Sequence, residues 1–289
     1  MVSNVILQAF LDDGISFIEC LEILAVACGR KKIVRLTGNE QRLKDIEALM
    51  QRIPIHCLIA PLHLELMFSR PLGDCFVRAA HGLPHGEEEG VLYAGAPTLL
   101  EAAVEMELHD CTAEEAAELY GFPQCCARHY EHTIQQSEYW VDSFLAGVRG
   151  MVHAPWLMNR FGRLFAPYLS MLPDYFPCHI NCASSLALAG RYRDMLEQEG
   201  LSVLAELAKR HLARTVLHHA GCLYLVNTPE DEREEQAVRV LAVWPYAGQA
   251  FESDVLIVRL EREALSVSVP GKTRATDMVD HPAACLIFT

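Results

Sequence analysis

Between Arg78 and Arg128 the sequence has no lysine or arginine, while ten acidic residues fall there, including the run Glu87, Glu88, Glu89. Over the whole chain 24 basic residues stand against 38 acidic ones, a formal net charge of −14. A polyanionic backbone or an anionic lipid surface is recognised by clustered cations that displace counterions, so nucleic acid and membrane are both set aside as partners. The acidic stretch reads first as a solvated helix face and loop, and second as an anionic surface for a cationic ligand or partner.

Other absences narrow the function further. The apolar opening, residues 1–28, has no early Lys or Arg and no small-residue cleavage site. Asp12, Asp13, Glu19 and Glu22 interrupt it well short of the roughly 20 uncharged residues that a membrane span requires. The expectation is a buried helix of a soluble protein in a reducing, cytoplasmic setting. No G-x-G-x-x-G, G-x-S-x-G or H-E-x-x-H occurs, and PGKT at 270–273 lacks the earlier glycine of a phosphate-binding loop. A nucleotide cofactor is not indicated. Fixed-period repeats and low-complexity tracts are absent as well.

What the sequence does hold, in 289 residues that are 51% hydrophobic, is enough apolar material for one large domain or two modest ones. Strand and helix patterns alternate at the start. Residues 31–38 form a β-branched run closed by Gly, 39–53 are amphipathic behind Asn39 as N-cap, and 54–61 read as a strand between prolines. After a stretch without regular pattern come a strand at 90–95 and a helix at 97–110 with Pro at its first turn. The middle reads as helical: a capping box from Thr112 to Glu115 with a stop at Gly121 and Pro123, a helix over 124–136, more helix over 141–171, another from Cys178 to Gly200, and one over 201–221. The last seventy residues turn to β-branched runs. The expected fold is α+β, with a small α/β unit over 1–110, a helical cysteine-bearing domain over 111–221 and a small, mostly antiparallel β-rich region over 222–289.

Eleven cysteines are present, an odd number that argues against complete disulfide pairing. Cys20, Cys28, Cys57 and Cys222 lie in apolar runs and read as core. Two segments are different. ELYGFPQCCARHY (118–130) and YFPCHINCASSL (175–186) each lead through an aromatic and a proline into cysteine at an expected helix start. Free amides and the positive end of the helix dipole favour thiolate there, and thiolate is the form that attacks electrophiles and binds metals. Cys178 and Cys182, at i and i+4, are expected on one helix face, as are Cys125 and His129. Adjacent helical side chains diverge by about 100°, so either one of Cys125 and Cys126 is unligated, as in a zinc site with three cysteines and one histidine, or the site is larger than one ion, as in an iron–sulfur cluster.

The segments YGFPQCC and FPCHINCASSLALA resemble a poorly characterised prokaryotic family of domains of unknown function, with a pattern near Gly-aromatic-Pro-x-Cys-Cys followed by Pro-Cys-x-x-x-Cys. The resemblance spans about residues 112–200. It implies that Cys125, Cys126, Cys178 and Cys182 are the family's characteristic cysteines. Where the pattern has Ser after Pro-Cys, this chain has His179.

The leading expectation is a metalloprotein enzyme with a four-iron, four-sulfur cluster on Cys125, Cys126, Cys178 and Cys182, acting on a small molecule or peptide and open to a protein partner. His129, His179, Arg128 and Tyr130 are the candidate catalytic residues, with His132, Tyr120 and Tyr175 nearby. A zinc-stabilised scaffold and a metal-free thiol-redox protein using the vicinal pair are the alternatives. His211, His218 and His219, on one expected helix face, form a weaker second candidate metal group.

Overall fold

The computed structural model describes residues 12, 14–69, 75–109, 111–132, 144–145, 148–161, 170–172, 175, 177–219, 222–226, 235–245, 255–261, 264–268 and 284–288. The fold is mixed α+β and divides into two compact units. One takes the chain up to Phe144 together with Leu172–Cys178 and Cys182–Ala205; the other takes Leu145–Met171, His179–Asn181 and the chain from Glu206 onward.

The first unit begins with α1 (Phe17–Ala27), mostly apolar and buried along nearly its whole length. Ser16 and Glu19 close a capping box at its start: the Glu19 amide donates to Ser16 Oγ and the Ser16 amide to Glu19 Oε2. Glu22, on the same helix, is buried and paired with Lys31. Strand β1 (Ile33–Gly38) follows, then α2 (Glu40–Met50), whose N-cap Asn39 accepts the Arg42 amide as expected. Strands β2 (His56–Ser69), β3 (Cys75–His81) and β4 (Glu89–Gly95) complete a four-stranded sheet in the order β1-β4-β2-β3, antiparallel throughout.

The strand expected over 54–61 therefore does not stop at Pro61, and the stretch after it is not irregular. Proline cannot donate to a ladder, and the structure meets that loss with a bulge: β2 slips register against β4 between Ile59, opposite Leu92, and His63, opposite Gly90. Beyond the bulge, Leu62, Leu64 and Leu66 alternate with His63 and Glu65, the period of a strand.

Strand β4 is buried on both faces from Gly90 to Gly95. Val91 and Tyr93 meet Leu100, Ala103 and Val104 of α3 (Pro97–Leu108) in one apolar cluster with Ile33, Ala60 and Leu62. On the opposite face a Cβ at Gly90 would lie 3.0 Å from Leu43 Cδ1 of α2 and 2.5 Å from Pro84 Cγ, which is why glycine stands there. Helices α4 (Ala113–Tyr120), α5 (Gln124–His132) and α6 (Ala183–Gln198) finish the unit.

The second unit is a seven-stranded sheet ordered β10-β9-β8-β7-β6-β11-β5. Its strands are β5 (Gly150–Ala154), β6 (Thr215–His219), β7 (Cys222–Val226), β8 (Glu235–Pro245), β9 (Val255–Glu261), β10 (Ala264–Ser268) and β11 (Ala284–Phe288). Every pairing is antiparallel except β11 with β5. Two expectations are corrected here. The helix expected over 141–171 is, among the described residues, largely replaced by β5 and a short 3-10 turn at Trp156–Met158. The helix expected over 201–221 ends earlier, as α7 (Ser202–Leu212), and β6 takes its place from Thr215. Val216, Leu217 and their β-branched neighbour Thr215 are fully buried as sheet core, where long-range pairing overrides local helix propensity.

Candidate metal centre

The site starts with a helical hairpin. Thr112 caps α4 through the box read from the sequence: its Oγ1 accepts the Glu115 amide at 3.2 Å, and its own amide donates to Glu115 Oε2 at 2.8 Å. Gly121 ends the helix in the left-handed conformation at φ 74°, where a side chain would be strained. Phe122 and Pro123 then turn the chain, and the Pro123 carbonyl accepts the amides of Cys126 and Ala127 to start α5. The hairpin is tied by Arg128 Nη1 to Glu114 Oε1 at 3.2 Å and by the Ala113 amide to Glu131 Oε1 at 3.1 Å. Cys125 and Cys126 thus occupy the first turn of α5, as expected.

The second pair is placed differently from the expectation. Cys178 is not on a helix: residues 178–181 form a turn, and Cys182 is the N-cap of α6, which begins at Ala183. The two cysteines meet through this turn and not along one helix face. All four sulfurs converge, lying within 4.8 Å of one another. Cys125 Sγ is 3.7 Å and Cys126 Sγ 3.6 Å from Cys182 Sγ, and the vicinal pair is 3.9 Å apart. Both vicinal sulfurs therefore face the group.

Two polar groups address the sulfurs from outside. The Cys178 amide donates to Cys126 Sγ at 3.4 Å, and the fully buried Ser185 places its Oγ 3.3 Å from the same sulfur. Ser185, one turn into α6, was not singled out in the sequence; the signal for it is a hydroxyl at the third position after Cys182. Burial raises the Cys126 thiol well above its usual range and pushes Cys178 up to about 12. Burial would raise Cys182 too, but the Ser185 hydroxyl and amide, with the Cys178 and Cys126 side chains, outweigh it and bring its thiol down to about 7. One thiolate is thus accessible near neutrality, and further ionisation is opposed by burial and by like charge a few ångströms away. A bound cation relieves both penalties.

The donor set fits a metal. Four soft sulfur ligands converge, and an N–H and an O–H stand ready to hydrogen-bond them; such a group can hold an ion. In metal-free protein the ultraviolet thiolate absorbance is expected to grow in first with a midpoint near pH 7, a step that Cys182→Ser removes. Ser185→Ala is expected to weaken metal affinity about 10- to 100-fold, measured by competition with a chromophoric chelator.

The histidines take no part in the sulfur group, which among the described residues is made of cysteines alone. His129 and His132 lie on α5, the first half-buried and the second exposed. His179 is exposed, and its Nδ1 accepts the Asn181 amide at 3.2 Å. Arg128 is held by Glu114 in the hairpin. Tyr120 packs beside the Val91–Tyr93 core, with its ring 5.8 Å from that of Phe122. His211 is on α7 while His218 and His219 are on β6, so the helix face expected to unite them does not exist. PGKT at 270–273 lies outside the described residues. Cys20 and Cys222 are fully buried as expected, and Cys28 and Cys57 partly so.

Against the sulfur group lies a cavity of about 220 Å³ lined by Ala113, Ala116, Ala117, Phe122, Cys126, Ala127, Tyr130 and Tyr175. Phe122 and Tyr175 stack with ring centroids 5.1 Å apart, and Lys31 Nζ stands 5.4 Å from the Phe122 centroid. Of the candidate catalytic residues, Tyr130 reaches this space.

No helix among the described residues is long and apolar enough to cross a membrane. Comparison with protein-family models, with curated proteins and with solved structures finds no match.

Proposed function

We propose that Cys125, Cys126, Cys178 and Cys182 bind a single tetrahedral ion, zinc, and that the protein is a metal-stapled binding module whose ion fastens the α4–α5 hairpin to the start of α6. The observation that carries this reading is the sulfur spacing. Thiolates about 2.3 Å from one tetrahedral ion stand about 3.8 Å from each other; the three separations among Cys125, Cys126 and Cys182, 3.6, 3.7 and 3.9 Å, match that edge, and Cys178 Sγ completes a group whose members all lie within 4.8 Å. Four thiolates close the coordination shell, as structural sites do, and the binding energy becomes folding energy for the segments that supply the ligands.

An iron–sulfur cluster is the second reading, supported by the half-exposed positions of Cys125 and Cys178 at the rim of the group, from which the set can widen. In a cubane each thiolate sits on its own iron, which spreads the cysteine sulfurs farther apart than around a single ion. Such a centre, if held by three thiolates, would leave one iron for Lewis-acid or redox chemistry.

Anaerobic purification with zinc, iron and acid-labile sulfide quantified per chain separates the two. The expected result is colourless protein with one zinc, no sulfide and a single metal–sulfur distance of about 2.3 Å by X-ray absorption. Brown protein with iron and sulfide in equal amounts overturns the single-ion reading. Metal-free protein whose vicinal thiols react at once with alkylating reagent overturns both in favour of thiol-redox chemistry.

A further inference from the structure

Among the described residues the cavity beside the sulfur group is lined by no charged side chain: its walls there are four alanine methyl groups, three aromatic rings and Cys126. The alanines come from one face of α4, at positions 113, 116 and 117, and from the facing Ala127 of α5. Helices that pack only for stability place larger apolar side chains at such facing positions, because unfilled space forfeits dispersion contacts. Here the space is kept open although a leucine at any of the four positions would reduce it. Its mouth is not sealed, since Ala113, Ala116, Phe122 and Tyr130 are only half-buried.

Shape and chemistry then restrict the occupant. An engineered cavity of about 150 Å³ accepts benzene, so about 220 Å³ accommodates one or two fused rings. The stacked Phe122 and Tyr175, 27° from parallel, offer flat aromatic surface, and Lys31, beside Phe122, is already engaged by Glu22. A carboxylate or ammonium ligand would find no counter-charge among the described lining residues. We propose that this cavity binds a small, flat, uncharged aromatic molecule against the wall that contains Cys126. Since Cys126 belongs to both the cavity and the sulfur group, occupancy also perturbs the metal centre; this second effect, unlike binding itself, rests on the single-ion reading.

The test uses the full chain and indole as probe, with benzoate as the charged counterpart. Indole is expected to bind the zinc-loaded protein saturably, with a dissociation constant at or below about 1 mM, and benzoate at least about tenfold more weakly. Ala116→Leu and Ala113→Leu, both at half-buried positions, are each expected to weaken indole about tenfold while metal content and circular dichroism stay unchanged. In protein loaded with cobalt(II), indole should shift the sulfur-to-cobalt charge-transfer absorption. Folded protein that shows no saturable indole binding, or binding that neither alanine variant changes, overturns the proposal. Chain that takes up no metal yet binds indole in an Ala116-dependent way keeps the cavity site and removes the metal reading. Cobalt-loaded protein that binds no indole keeps the metal reading and removes the cavity site.

Discussion

Cys182→Ala is expected to reduce bound metal from one ion per chain to none and to melt the α4–α5 hairpin while the β1–β4 sheet stays folded. Cys182 Sγ lies against both members of the vicinal pair, at 3.6 and 3.7 Å, and its thiol is the one in the group brought down to about 7. Without it, only Cys178 remains on the α6 side, at the rim of the group. Short helices are marginal alone; α4 has eight residues and α5 nine, so the pair leans on whatever pins its open end. Structural zinc sites contribute apparent free energies of about 10–16 kcal/mol in small peptides at neutral pH. Only part of that bears on a hairpin already tied by Arg128 to Glu114 and Ala113 to Glu131. Metal analysis with hydrogen exchange resolved by segment measures both effects. Equal metal content in parent and variant would remove Cys182 from the ligand set, and unchanged exchange in α4 and α5 would show that the ion holds nothing together.

The second large effect belongs to the sheet. Arg35 on β1 and Tyr93 on β4 stand directly opposite one another, and both reach Glu107 in the last turn of α3. Arg35 Nη2 donates to Glu107 Oε1 at 2.7 Å, Arg35 Nε to Oε2 at 3.1 Å, and the Tyr93 hydroxyl to Oε2 at 2.7 Å. Burial alone would raise the Glu107 carboxyl; the bidentate arginine and the tyrosine outweigh it and hold the carboxyl below its usual range. Arg35→Met is expected to cost about 3 kcal/mol at pH 7, because it leaves a buried carboxylate with a single neutral donor. A lowered carboxyl stabilises the fold above the pKa of the unfolded chain, about 4.3, and that contribution is lost as pH falls through the folded value. The gap between parent and variant should therefore be widest at neutral pH and close below about pH 4. Exchange of β1 and β4 amides in urea at the two pH values measures it, and a variant within about 0.5 kcal/mol of the parent at pH 7 would show the cluster to be ornamental. Adding Glu107→Leu to Arg35→Met should recover most of the loss, since no charge is then left stranded.

The sequence made the cysteine group legible because its signals are local. A capping box, a left-handed glycine and a proline decide where α4 stops and α5 begins, and they place Cys125 and Cys126 without reference to anything distant. The turn at 178–181 was hidden because i and i+4 spacing is the same on paper whether a helix starts at Cys178 or at Ala183. The histidine face failed for the opposite reason: His211 to His219 has helical spacing, yet β6 is captured by β7 and β11, strands whose pull no local window contains. Strand β5 was lost in the same way, its partner lying at the far end of the chain. The cavity was readable only in hindsight, since alanines on a helix look like propensity until the space before them is seen.

The pairing of β5 with β11 sets a timetable for biosynthesis. Strand β5 is made long before β11, which among the described residues is the strand that joins it to β6. Until residues 284–288 have been made, β5 and one edge of β6 lack this ladder partner, the state in which strands recruit neighbouring chains. A message truncated shortly before codon 284 would therefore yield insoluble product even though every cysteine of the sulfur group had already been made.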